Sequence, residues 1–86
     1  MDRFQVIFDK IKEIIIQELN VKPEVVTINA RLAVDFGADS LDALELFNQI
    51  ESEFLITIDD NTALSLKVVK DLVDYVNNSV KDSYFE

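Results

Sequence analysis

Apolar residues recur at three- and four-residue steps near the start of the chain: Phe4, Ile7, Phe8, Ile11, Ile14, Ile15 and Leu19. This spacing is the stripe of an amphipathic helix, predicted over about residues 3 to 19. Lys10, Lys12, Glu13, Gln17 and Glu18 fall largely on its other side. Asn20 suits a helix C-cap, and Pro23 forbids easy continuation. A second stripe, Ala43, Leu46, Phe47, Ile50 and Phe54, predicts a helix over 40 to 54. Leu41, Leu44, Glu45 and Asn48 fall elsewhere on it, with Leu41 almost opposite the apolar face. Val69, Leu72, Val73 and Val76 mark a third helix, starting near Ser65 or Leu66 and ending by Asn77 and Asn78.

The segments between these helices are less regular. Residues 20 to 38 read as a long ordered loop anchored by Val25, Val26, Ile28, Leu32, Val34 and Phe36, with room for a short helical turn near Arg31 to Val34. Leu55 to Ile58 alternates like a strand, but no second strand offers a partner, so an extended loop is expected. Asp59 to Ala63 suits one helical turn capped by Asp59 or Asp60. Residues 80 to 86 read as a frayed tail in which Tyr84 and Phe85 could dock. The expected architecture is all-α: one domain over residues 1 to 79, a small bundle of three main helices and one short one, with a long loop after the first.

Composition narrows the chemistry. One glycine and one proline in 86 residues agree with helices and brief loops. Cysteine and histidine are both absent, which excludes disulfides, thiolate metal sites and Ser-His catalysis. The longest aliphatic run, Ile14-Ile15-Ile16, is far too short to span a membrane, and no signal peptide is visible. A cytosolic or organelle-matrix protein is the expectation, and nothing demands a dimer. The net charge of −9 disfavours nucleic acid and favours basic partner surfaces. Between Arg31 and Lys67 lie eight acids and no base: Asp35, Asp39, Asp42, Glu45, Glu51, Glu53, Asp59 and Asp60. The rest of the chain, with nine acids and eight bases, is nearly neutral.

This acidic stretch surrounds one conspicuous serine. Gly37 suits a backbone conformation that other residues resist, Asp39 is a good N-cap, and Asp42 sits three residues on as in a capping box. Ser40 then opens the helix. A nucleophilic serine needs a base, and neither histidine nor any lysine lies within residues 32 to 66. Asp39 and Asp42 would oppose a developing alkoxide. A paired-carboxylate hydrolase lacks room for a cleft in so short a chain, and a cation site among Asp35, Asp39 and Asp42 lacks calcium-loop spacing. What remains is an ordinary helix-start serine, in an unmodified acidic interaction module, or a serine modified by another enzyme.

The run Asp35-Phe36-Gly37-Ala38-Asp39-Ser40-Leu41-Asp42, followed by Glu45-Leu46, closely resembles the signature of acyl carrier proteins. Resemblance covers about residues 4 to 78, including Leu19 to Val26, Ile50 to Phe54 and Asp71 to Val76. It implies a four-helix bundle bearing a 4′-phosphopantetheine arm on Ser40, transferred from coenzyme A by a holo-carrier-protein synthase. It implies no catalytic residue and no metal in the carrier itself. Acyl groups would ride the arm as thioesters between enzymes of fatty-acid synthesis, or of a polyketide or specialised lipid pathway. The family's recognition helix maps onto Ser40 to Phe54. Asp39, Leu41, Asp42, Leu44, Glu45, Asn48 and Glu51 are then the expected contacts for basic patches on partners. Ala43, Phe47, Ile50, Phe54, Ile58 and Val69 are the expected lining for a sequestered chain. Departures from the usual pattern are Asn48 in place of a methionine, the bulky Phe47, Asp59 in place of a proline, the apolar Leu55-Ile56-Thr57, and Lys67-Val68 in place of a threonine.

Overall fold

The computed structural model describes residues 2–86, and among them five α-helices and two short 3-10 turns account for most of the chain. Helix α1 spans Arg3–Leu19. The Asp2 carboxylate accepts from the Phe4 N–H at 3.0 Å, and Asn20 ends the helix in the left-handed conformation at φ 53°. Asn tolerates that conformation better than most side chains, because its short polar group can bond locally. Ile7, Ile11, Ile14 and Ile15 are buried as expected, while Phe4, Phe8 and Leu19 sit half-buried at the margin of the core. α3 spans Ser40–Phe54 and α5 Val69–Ser79, and α1 packs against both. Their inward stripes, Leu46, Phe47, Ile50 and Phe54 on α3 and Val69, Leu72, Val73 and Val76 on α5, complete the core. The expected all-α bundle with three main helices is what forms.

Residues 20 to 38 contain more structure than a loop. Pro23 opens a 3-10 turn, Pro23–Val25, and Leu32–Phe36 forms the five-residue helix α2. Val26, Ala30 and Leu32 anchor the segment, whereas Val25 and Val34, also expected as anchors, face solvent. Val25 ends the 3-10 turn and Val34 lies on the outer side of α2, so neither side chain reaches the core. Between them, residues 28 to 32 run antiparallel to residues 67 to 70, held by Leu32 N–H to Lys67 O and Val69 N–H to Ala30 O at 3.0 Å and Lys70 N–H to Ile28 O at 2.8 Å. Alternation along this extended stretch buries Ala30 and leaves Asn29 and Arg31 exposed.

The same pairing moves the start of α5 from the expected Ser65 or Leu66 to Val69. Val68 is extended (φ −123°, ψ 164°), and the Asp71 carboxylate reaches back to the N–H groups of Lys67 and Val68 at 2.9 and 3.1 Å. Upstream, Leu55 ends α3 in the left-handed conformation, residues 56 to 59 have no regular structure, and α4 spans Asp60–Ser65 with Asp59 capping the Thr62 N–H at 2.7 Å.

The C-terminal segment does not fray. Val80 is buried, Asp82–Phe85 forms a 3-10 turn, and Tyr84 packs on Phe54 with ring centroids 5.0 Å apart. Tyr84 donates to Glu53 at 2.7 Å, Arg3 pairs with Asp82 at 2.6 Å, and the Arg3 guanidinium lies 4.7 Å from the centre of the Phe85 ring. Apolar surface on Val80, Tyr84 and Phe85 thus closes the end of the bundle where α1 begins and α3 ends.

Candidate functional site at the start of α3

Three residues reverse the chain between α2 and α3. Gly37 takes the left-handed conformation at φ 69°, and the N–H groups of Gly37 and Ala38 both turn back to the Leu32 carbonyl. A Cβ at Gly37 would meet nothing within 4 Å, so glycine is required there by backbone conformation and not by crowding. Asp39 then caps α3. Its carboxylate accepts from Asp42 N–H at 2.8 Å, and the Asp42 carboxylate accepts from Asp39 N–H at 3.2 Å, a reciprocal capping box. Ser40, at the first helical position, is exposed, and its hydroxyl takes no part in that box.

Two apolar grooves meet at Ser40. One, of about 240 Å³, runs toward α2 and the Leu66–Lys67 segment after α4, and Leu32, Ala33, Ala38 and Asp39 line it. The other, of about 360 Å³, opens between α3 and α4 and carries Leu44 and Asp60. Ala43, Phe47, Ala63 and Leu64 are common to both. Of the six residues expected to line a chain-binding space, Ala43 and Phe47 are therefore at the grooves. Ile50, Phe54 and Val69 are sealed in the core, and Ile58 is half-buried beside it; neither groove is lined by these four. The α4 wall, Ala63 and Leu64, escaped the sequence reading, because a six-residue helix is too short to show a periodic stripe.

Along α3, Leu41, Leu44, Glu45 and Asn48 form an exposed face, with the two leucines 63% and 54% accessible. Glu51, expected on the same face, is half-buried and accepts from the Ile58 N–H at 2.7 Å, so it also pins the loop after α3. Other acids are likewise in use. Glu53 holds Tyr84, Asp59 caps α4, and Asp35 accepts from the Arg31 backbone at 2.7 Å and from its guanidinium at 3.2 and 3.3 Å. Those contacts lower the pKa of Asp35, the Arg31 side-chain bond most and its backbone N–H next, and bonds from Thr62 lower that of Asp59. Of these acids, Asp35 alone has a described ion pair; a carboxylate bonded to a neutral amide or hydroxyl keeps its field.

This geometry cannot activate Ser40 from within. Its carboxylate neighbours are locked in the capping box, and among the described residues no hydrogen bond joins Ser40 to a lysine. No group of three potential metal ligands converges among the described residues either. What the site offers is an accessible hydroxyl on a rigid helix start, flanked by apolar grooves. The family model described as "Phosphopantetheine attachment site" matches residues 9–76.

The chain belongs to the acyl carrier protein family. Similar proteins include an acyl carrier protein of Thermosynechococcus vestitus, 45% identical over 74 residues, covering 86% of this chain and 91% of that one. Those of Wolinella succinogenes, 42% identical over 73 residues (85% and 96%), and Campylobacter hominis, 37% over 76 residues (88% and 96%), are also called acyl carrier proteins. The protein is accordingly a non-catalytic carrier whose prosthetic group is 4′-phosphopantetheine. The site fits such a group: the Ser40 hydroxyl is accessible and the adjoining grooves are apolar enough to hold its pantetheine portion. No helix among the described residues is long and apolar enough to cross a membrane.

Proposed function

We propose that Ser40 is the attachment residue, and that this carrier shuttles acyl thioesters between the enzymes of fatty-acid synthesis. The observation that carries the reading is the exposed Ser40 hydroxyl at a doubly capped helix start where two apolar grooves meet. The arm would be joined by a phosphodiester between Ser40 Oγ and the phosphopantetheine of coenzyme A, with adenosine bisphosphate as leaving group. A holo-carrier-protein synthase must supply the base, because the carrier has none beside Ser40. The working thiol arrives on the arm, in keeping with a chain that has no cysteine.

The exposed face of α3 is the docking surface in this reading. Leu41 and Leu44 give it apolar contact area, and Asp39, Asp42, Glu45 and Asn48 surround them. Glu51 contributes charge from the rim. Clustered acids steer basic partners and set register more than they add affinity. The acyl chain enters at Ala43 and Phe47. Beyond Phe47 it would have to part Ile50, Phe54 and Val69, which belong to the core, and Ile58 at its margin. The carrier acts as a monomer in the cytoplasm or an organelle matrix.

Intact mass after incubation with coenzyme A and a holo-carrier-protein synthase tests the assignment. The native chain should gain one phosphopantetheinyl group and Ser40→Ala none. No gain, or an equal gain in the variant, refutes it. Acyl transfer to and from purified fatty-acid synthesis enzymes tests the pathway, and acceptance only by polyketide enzymes would redirect it.

A further inference from the structure

The two grooves at Ser40 share much of their lining but differ in charge. The one toward α2 carries Asp39 and Lys67, whereas the one between α3 and α4 carries Asp60 and no cation. Lys67 forms no described ion pair, in contrast to Arg3, Lys10, Arg31 and Lys70, which each face a carboxylate. Its backbone is fixed on both sides: the carbonyl accepts from Leu32 N–H at 3.0 Å, and the N–H donates to Asp71 at 2.9 Å. The residue is thereby held at the groove wall while its side chain stays exposed and uncommitted. Lys67 follows directly on a stretch of 35 residues, 32 to 66, that contains no base.

We infer that Lys67 is a positioning residue for the arm: its ammonium holds the phosphodiester at Ser40 and so directs the pantetheine into the groove between α2 and α3. The inference rests on Ser40 being the attachment point. A phosphodiester carries one negative charge, and it would otherwise stand among Asp39, Asp42 and Asp60. The Asp39 carboxylate lines the same groove and keeps its field, but there Lys67 stands against it. At the Asp60 groove the phosphate meets repulsion alone. Even a partly screened attraction on one side and repulsion on the other biases the arm several-fold toward Lys67.

The test uses full-length carrier loaded from coenzyme A, in native, Lys67→Gln and Lys67→Arg forms, with intact mass confirming each. Proton NMR then locates the pantetheine methyl groups against markers unique to one groove: Ala33 and Leu66 for the first, Leu44 for the second. Native and Lys67→Arg carriers should show contacts to Ala33 and Leu66. Lys67→Gln should lose most of them, and raising salt from about 0.05 to about 0.5 M should weaken them in the native form. The unloaded Lys67→Gln protein should melt like native, since only the Lys67 backbone makes structural bonds. Normal loading with the same contacts in all three forms, or contacts to Leu44 in native carrier, would overturn the inference alone. No loading of the native chain would remove the attachment reading and this inference together.

Discussion

Tyr84 offers the sharpest check on the packing. Its ring stacks on Phe54 at 5.0 Å and meets Phe85 edge-on at 5.3 Å, and its hydroxyl donates to Glu53 at 2.7 Å. Tyr84→Phe removes the hydrogen bond and keeps both ring contacts. A bond to a carboxylate, reduced by solvent screening at this half-exposed site, contributes about 0.5–1.5 kcal/mol, which in a domain this small lowers the melting temperature by roughly 2–12 °C. Tyr84→Ala also loses the aromatic pairs, at about 0.5–1.5 kcal/mol each, and the apolar area beneath them.

The pH dependence has a definite sign. Burial first, then the Glu53 hydrogen bond and its charge, push the Tyr84 hydroxyl from 10.0 up to about 12. A folded-state pKa raised above the unfolded value means the contribution is intact below about pH 10 and lost as pH rises through about 12. Thermal unfolding by circular dichroism should therefore show native above Tyr84→Phe at pH 7, with the gap closing between pH 10 and 12. Comparing the two proteins at each pH cancels the titration of the lysines. Equal melting at pH 7, or a gap that persists at pH 12, would refute a docked C-terminus held through Glu53.

Other outcomes follow from single features. Leu55 caps α3 in the left-handed conformation at φ 56° while 85% exposed, so Leu55→Gly should raise stability by about 1 kcal/mol in chemical denaturation; a lower midpoint would contradict the strain. Glu45→Lys should slow loading by the synthase and flatten its salt dependence without changing the melting temperature, and unchanged loading kinetics would count against the docking face. Asp42→Lys should slow loading too, but it also breaks the capping box and should cost about 1 kcal/mol in stability, read by denaturant titration. Long-chain acylation should raise the melting temperature above that of the acetyl form by burying more apolar area, and identical melting would leave the chain outside the bundle.

The three long helices were legible because each repeats its apolar stripe over several turns, and α3 announces its start with Asp39, Ser40 and Asp42. The late start of α5 was not, because it depends on residues 28 to 32 pairing with residues 67 to 70, a contact between segments far apart in sequence; of α2 a short turn near Arg31 to Val34 was legible, its extent to Phe36 was not. Val25 and Val34 face solvent from the 3-10 turn and from α2, against their hydrophobicity. The tail read as frayed, with Tyr84 and Phe85 able to dock but no partner to name, for a similar reason. Tyr84 and Phe85 find Phe54 and Arg3 only after α1 and α3 are side by side. At the site, the motif located Ser40 and the exposed leucines, but the grooves are made jointly by α3, α4 and the strand-like pair. Periodicity within one helix could nominate Ala43 and Phe47 and had no means of placing Lys67 beside them.

In the proposed reading, the acids between Arg31 and Lys67 serve fold and partner at once. Asp39, Asp42 and Asp59 close helix starts, Glu51 pins the loop after α3, Glu53 anchors the C-terminus, and Asp35 ties down the start of α2. Each carboxylate satisfies a backbone donor or hydroxyl that would otherwise need water. Had these tasks fallen to Ser, Thr or Asn, the bundle would keep its caps and lose its field. With carboxylates, the same bonds leave most of the negative charge projecting around Ser40, where a basic partner can sense it at a range of about a Debye length, roughly 8 Å. Glu45 and Asp60 have no described internal partner, so their charge is the part of this field that can be removed with least effect on folding. That asymmetry makes Glu45, and not Asp42 or Glu51, the position where docking and stability separate.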